Sequence, residues 1–377
     1  MPIKIFPMFP FSARWGEITG NIDEQSDLIS ILDDKSDVSH NHDESYEPKN
    51  ANIQAHISII NNPHSVTKAQ IGLGAFSQEI ANRTIAIPYT YTATQIQSEI
   101  DSIGKFIPYG VTVTIQFSND SAKYLGNEEV VEVGGGKVRI ACPNHCFVEG
   151  DVVSIDGTTN YNGDYTLPSQ SGADANHFII TASFVSETTT TNAIARKPCV
   201  LEAGLIFSGF YGGGSIAIKG NTNETDANAL HTTQQVYLKS TSNVTAIKFY
   251  NNQVQFQIQN LKIQFNSATT SSSGIFSSFS DISLYCSYIL GTTTSYGYAI
   301  NILNSGATAY LRYNYVSNVL YGIASQLLAL VYSNENDDYG IVPAYGLMSS
   351  TAILFKRSTQ PAGSVANELK SDGGQIF

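Results

Sequence analysis

Few residues in this chain have the types and spacing that chemistry requires. His40 and His42 form an H-x-H pair, and on an extended chain both imidazoles project to the same side. Cys142, His145 and Cys146 are close together, but no second ligand pair follows, so the spacing does not make a zinc site. Cleaving polysaccharide would need two carboxyl groups about 5–9 Å apart across a groove. The carboxy-terminal part offers few, among them Glu224, Asp226, Asp281, Glu335, Asp337 and Asp338. Asp337 and Asp338 are adjacent, so on a strand they would face opposite sides, and NENDDYG at 334–340 reads as a solvated loop. Asp281 could meet Glu335 or Asp337 from a later coil, but no spacing requires it. Neither GGG at 134–136 nor GGG at 212–214 has the lysine of a phosphate loop. No G-x-G-x-x-G follows a strand, and there is no G-x-S-x-G elbow. The expectation is a chain without enzymatic activity, the alternative being one that degrades polysaccharide.

Composition points the same way. Of 377 residues only 14% are charged, against roughly 25% in globular proteins, and Ser, Thr, Asn, Gln, Gly and Tyr take their place. Neutral polar residues alternating with apolar ones suit long β-surfaces. A net charge of −12 excludes the basic stripe of a nucleic-acid binder, and no basic amphipathic face marks a membrane surface. Four cysteines, irregularly spaced, are no disulfide framework. The start, MPIKIFPMFPF, lacks the uninterrupted core of a signal peptide, and no segment reaches about 18 apolar residues. Synthesis in the cytoplasm and export as part of a particle are expected.

The elements that must position any site are mainly strands. Thr94 and Gln97 have capping-box spacing, and Ile96, Ile100 and Ile103 follow on one face, which predicts a helix ending at Gly104. VTVTIQF at 111–117 alternates as a strand. A helix feeding directly into a strand is how a parallel β-helix covers its first open coil. Beyond Lys219 the sequence repeats. With Ile247, Ile275, Ile300, Ile323 and Leu347 as equivalents, the intervals are 28, 25, 23 and 24 residues. Periods of this size without helices mean a β-solenoid, here of about five coils. Regular Leu spacing and an asparagine ladder are missing, which excludes a leucine-rich repeat. Gly212 and Gly214 are expected at a tight corner. Tyr310, Tyr313 and Tyr315, among other tyrosines of successive coils, are candidates for a receptor-facing surface or a subunit interface.

The amino-terminal residues have no core of their own. Phe6, Phe9, Phe11 and Trp15 fall in a stretch too short to bury them and call for a partner surface. WGEITGNIDEQSDL at 15–28, SHNHDESYEPKNANIQAHI at 39–57 and HSVTKAQIGLG at 64–74 resemble, in order, the amino-terminal shaft modules of phage tail-fibre and tailspike-type proteins. PNHCFVEGDVVSI…YNGDY, carried by Pro143, His145, Phe147, Gly150, Asp151, Val152, Val153, Ile155, Tyr161, Asn162, Gly163 and Tyr165, resembles a small β-module inserted in phage tail proteins. Cys146 stands where that module has glycine. Without residues 127–198, VTVTIQF joins LEAGLIFSGFYGGGSIAIKGN, which resembles the start of the β-helix domain of phage fibres.

The resemblance implies an all-β chain: a right-handed parallel β-helix with a fibrous amino-terminal arm, one capping helix and an inserted β-module, trimeric. Its parts would be a tail-anchoring arm (1–20), a trimeric shaft (21–75), linker, capping helix and first coil (76–126), the insertion (127–198) and the β-helix (199–377). It implies a virion tail or baseplate component, held by its amino terminus and meeting a bacterial surface glycan or protein, with no nucleic-acid partner and no membrane insertion. No cofactor is expected. Three H-x-H pairs on a trimer axis would present six nitrogens to a transition metal; the plainer reading makes His40 and His42 exposed turn residues.

Overall fold

The computed structural model describes residue 30, which is helical, and residues 77–377 other than 191, 221–235, 242–244, 305, 339 and 340. The arm aromatics Phe6, Phe9, Phe11 and Trp15, and the pair His40 and His42, lie outside the described residues. All of these but residue 30 belong to the unit Ala75–Phe377.

Alternating sequences such as TVTIQFS and QFQIQ bury every second side chain and stack into a parallel solenoid. One coil runs Ser273–Ser278, Asp281–Tyr285, Tyr288–Leu290, and each of these strands belongs to a different sheet. The first sheet has nine strands, from Arg83–Pro88 to Gln375–Ile376; the second has six and the third seven. Ile247, Ile275, Ile300, Ile323 and Leu347 stand in register along the third sheet, as the repeat requires. Inside the first sheet an apolar column runs Val113, Ile216, Phe256, Ile282, Ala309, Val331, Leu354, Ile376. Each large member of such a column stabilises the fold by about 1.5–3 kcal/mol.

The corner from the first sheet to the second is made at Asn260, Cys286, Tyr313 and Glu335, and the same bend recurs at Ser358 after the first-sheet strand Ile353–Arg357, all left-handed with φ of 48–58°. The first four of these N–H groups donate to a carbonyl of the next coil (Tyr285, Arg312, Asn334, Arg357), so the ladder continues around the bend. Directly behind, Asn314 and Asn336 are fully buried. Asn314 Nδ2 donates to the Leu284 carbonyl (2.9 Å) and to Asn336 Oδ1 (2.9 Å), and Asn336 Nδ2 donates to the Leu311 carbonyl (3.0 Å). A short asparagine stack therefore exists, contrary to the expectation that there is none. Two corner residues without sequence periodicity were enough to build it.

Helix α1 (Ala93–Asp101) begins at Thr92, with the capping box made by Thr92 and Gln95. The expected box at Thr94 and Gln97 is thus two residues late, because Gln97 has another task. Its Nε2 donates to the Ile206 carbonyl (2.9 Å) and its Oε1 accepts from the Ile206 N–H (2.8 Å). That amide completes the edge strand Leu205–Ser208 of the third sheet, while Ala93, Ile96, Ile100 and Ile103 close the solenoid core. Gly212 has φ 118°, and a Cβ there would meet the Ile107 carbonyl oxygen at 2.1 Å, so this corner packs directly on the preceding coil.

Between Thr112–Ser118 of the first sheet and Cys199–Leu201 of the second, residues 123–196 form two antiparallel sheets of four and three strands. Their core is separate from the solenoid's and contains Val138, Ile140, Val153, Ile155, Phe178 and Ile180. The neck is tied by Asn119 Nδ2 to the Lys197 carbonyl (2.8 Å) and by the Lys197 N–H to Ser121 Oγ (2.8 Å).

Replacing Gln97 by Ala removes both hydrogen bonds to the Ile206 backbone, together with one to Asp101, and uncovers a strand edge. It is expected to lower stability by about 1–3 kcal/mol and to promote association, read by denaturant unfolding and light scattering. Unchanged unfolding would show that the edge needs no cover.

Candidate functional site

The outward residues of the first sheet stack coil on coil. One column runs Ser283, Tyr310, Tyr332, Phe355, followed by Phe377. Tyr310 and Tyr332 lie 5.0 Å apart with nearly parallel ring planes (4°); Tyr332 and Phe355 are 5.2 Å apart, Phe355 and Phe377 5.5 Å. The four rings remain 37–58% exposed. Beside them Asp281, Gln255, Ser215 and the Gly212 corner line an open groove of about 440 Å³ that also reaches Tyr310.

The three tyrosines singled out in the sequence do not share one face. Tyr310 belongs to the exposed column, Tyr313 makes the left-handed corner, and Tyr315 starts a strand of the second sheet. Tyr313 is held by Arg312, whose guanidinium lies 4.4 Å over the ring and whose Nη2 donates to the hydroxyl (2.5 Å). Arg312 Nε also pairs with Glu335 (3.3 Å). Hydrogen bonding from Tyr313, helped by Arg312, holds the Glu335 carboxyl below its ordinary range, while burial raises that of Asp337. Tyr332, Phe355 and Phe377 escaped the sequence reading because aromatics were grouped by nearness in sequence rather than by one outward position per coil.

A second cluster joins the inserted module to the second sheet. Asp156 accepts from Lys262 Nζ (2.6 and 2.8 Å) and pairs with the fully buried Arg196. Tyr237 lies under Lys262, 4.5 Å from ring to ammonium, and its hydroxyl bonds Asp164 (3.3 Å) and Gln264. Lys239 pairs with Asp164 at 2.6 Å. Burial acts most strongly on Asp156 and opposes its charge, yet Lys262 and Arg196 together hold the carboxyl below its ordinary range. Lys262 has one carboxylate partner and Arg196 against it, so burial pulls its ammonium down.

Elsewhere in the module, His145 Nε2 bridges the carbonyls of Asp174 and His177 (2.9 Å each). The Cys142 thiol is buried and pushed up to about 12 by that burial, so it is an inert thiol. Among the described residues no group of three or more His, Cys, Asp or Glu could hold a metal ion. None of the described helices is long and apolar enough to cross a membrane.

These features define a parallel β-solenoid with one cap helix and a side-mounted module. No family model and no curated protein matches the sequence. Among solved structures, the chain is similar to the Gp54 tailspike of Acinetobacter baumannii bacteriophage AP22, in complex with A. baumannii capsular saccharide (12% identity, TM-score 0.22). It is also similar to the tailspike gp49 of Pseudomonas phage LKA1 (12%, 0.18) and the tailspike gp61 of Pseudomonas phage phi297 (10%, 0.16). The matches cover 74%, 74% and 85% of this chain, and 51%, 53% and 68% of those. The chain thus spans about half the length of the first two.

The expectation of a chain without enzymatic activity is corrected. It rested in part on NENDDYG being a solvated loop, and the repeat had been read as about five coils. The first sheet has nine strands, and Asp337–Asp338 is a strand with buried Asn336 before it.

Tyr332→Ala breaks two ring stacks and Tyr310→Ala one. At about 0.5–1.5 kcal/mol per pair, the first is expected to cost roughly twice the second in denaturant unfolding; equal costs would mean the rings do not support one another. Asp156→Asn strands two buried cations and is expected to destabilise the module by about 3–5 kcal/mol. With a lowered pKa, the Asp156 contribution is complete above about pH 3.9 and is lost only as pH falls through the lower folded value. The module is therefore expected to stay folded to about pH 4, which pH-dependent melting checks.

Proposed function

We propose that this chain is a tail-spike subunit of a virion and that the outer face of its first sheet binds a bacterial surface glycan. The observation that carries this reading is the column Tyr310, Tyr332, Phe355, Phe377: four stacked rings left more than a third exposed. A ring offers a flat apolar surface to the C–H face of a sugar, and the tyrosine hydroxyls supply hydrogen bonds. Asp281, Gln255 and Ser215 beside the column add polar contacts. In the same reading the chains form a parallel homotrimer held to the tail or baseplate by residues 1–20, through Phe6, Phe9, Phe11 and Trp15. His40 and His42 of three chains would then share a transition metal on the axis.

A second reading, in which the spike also cuts its glycan, is favoured by one observation. Glu335 and Asp337 lie two residues apart at one corner, and their carboxyl pKa values are displaced in opposite directions, Glu335 downward by hydrogen bonding from Tyr313 and Asp337 upward by burial, the direction of difference an acid–base pair needs.

Binding to purified capsule or lipopolysaccharide is expected for the full chain and a loss of at least about tenfold for the Tyr310→Ala/Tyr332→Ala double variant, whose folding is checked by melting. Unimpaired binding by a folded double variant overturns the assignment of the face. Released reducing ends, abolished in both Glu335→Gln and Asp337→Asn, would establish cleavage at this corner. Deleting residues 1–20 is expected to leave a folded trimer that binds host cells but no longer joins the particle.

A further inference from the structure

Two grooves meet at one carboxylate. The groove of about 440 Å³ that reaches Tyr310 is lined by Ser215, Gln253, Gln255 and Asp281. A second, of about 560 Å³, lies at the corner from the third sheet to the first and is lined by Asn251, Asn252, Gln253, Phe279, Asp281 and Gly306. They share Gln253 and Asp281, so together they make a trough with an aromatic ring at each end and amides between. Among the described residues Asp281 is the only charged side chain lining either groove. It is exposed and makes no ion pair among them. Its Oδ1 accepts the Thr308 N–H (3.1 Å), which leaves Oδ2 open to a ligand.

The far end of the trough is unusual in its backbone. Phe279 is left-handed (φ 51°) with its side chain 42% exposed. On the flanking coils the same position is held by Asn251 (φ 53°) and Asn304 (φ 73°), a residue type that adopts this conformation at low cost. A bulky residue kept under strain with its ring in solvent points to contact with a ligand rather than to packing.

Given the glycan-binding face proposed above, we infer that the glycan continues from Tyr310 across this corner to Phe279, and that Asp281, midway, makes the site take neutral sugars and refuse acidic ones. An ionised carboxylate only accepts hydrogen bonds, so its open oxygen can take a sugar hydroxyl. A uronate carboxylate at that place brings a like charge, and no cation lines the trough to offset it.

The test uses the full chain with cellotetraose and maltotetraose, each beside the same sugar oxidised to uronate at C6, in calorimetric titration. For a sugar that binds, the neutral form is expected to bind about tenfold more tightly at low salt. In about 1 M salt, where screening is short-ranged, the gap should shrink about threefold. Asp281→Asn keeps an acceptor for the Thr308 N–H and is expected to bring the two forms within about twofold of each other. Phe279→Asn installs the residue of the flanking coils and is expected to weaken both forms about tenfold with unchanged melting. Uronate binding as tight as neutral, a gap that persists in Asp281→Asn, or full affinity in Phe279→Asn each overturns the inference and leaves the first-sheet face as the glycan site, provided binding is still lost in the Tyr310→Ala/Tyr332→Ala variant. No binding of any of these sugars overturns both.

Discussion

The structure depends on one repeated interaction, the backbone hydrogen-bond ladder that ties each coil to the next and continues around the corners. At the corner between the first and second sheets it survives because one residue per coil takes a left-handed conformation and keeps its N–H aimed at the following coil. A non-glycine residue in that region costs of order 1 kcal/mol, and the bond it preserves would cost about 1–3 kcal/mol if left unmade. Every coil is therefore forced into the same bend. In-register columns, inside and out, follow from that.

Those columns explain why a surface of isolated-looking residues becomes a site. Tyr310, Tyr332 and Phe355 are separated by more than twenty residues in sequence, yet the parallel register brings their rings to about 5 Å. Stacking stabilises each ring without burying it. Rigid, exposed, partly apolar surface is what sugar recognition needs, and in a solenoid it costs little additional ordering because the ladder has already fixed the backbone.

Much of the solenoid was legible because its core obeys a period that apolar residues reveal: the five residues from Ile247 to Leu347 are those that pair. The corners were not legible. Asn260, Cys286, Tyr313, Glu335 and Ser358 share a backbone conformation and no side-chain chemistry, so no motif announces them. For the same reason Tyr313 looked like a surface aromatic next to Tyr315, although a corner separates them. The capping box was misplaced by two residues because Gln97, a residue suited to capping, is used to finish a strand edge. The strand Asp337–Asp338 was hidden by its own acidity, which reads as loop until Asn336 is seen buried in front of it.

The low charge of the chain has the same origin as its columns. In a parallel in-register sheet each outward residue lies about 4.8 Å from its equivalents, where two like charges repel. The outermost column of the first sheet reads Lys219, Gln259, Tyr285, Arg312, Asn334, Arg357, with a neutral residue between every pair of cations. No register pair along the three parallel sheets sets like charges side by side among the described residues. Charge is tolerated where the ladder does not multiply it, and the inserted module is such a place. There Asp156, Arg196 and Asp164 meet Lys262 and Lys239 across a junction that occurs once. A repeating architecture therefore keeps its ladders largely neutral, and the buried cluster of Asp156, Arg196 and Lys262 sits where an element breaks the repeat.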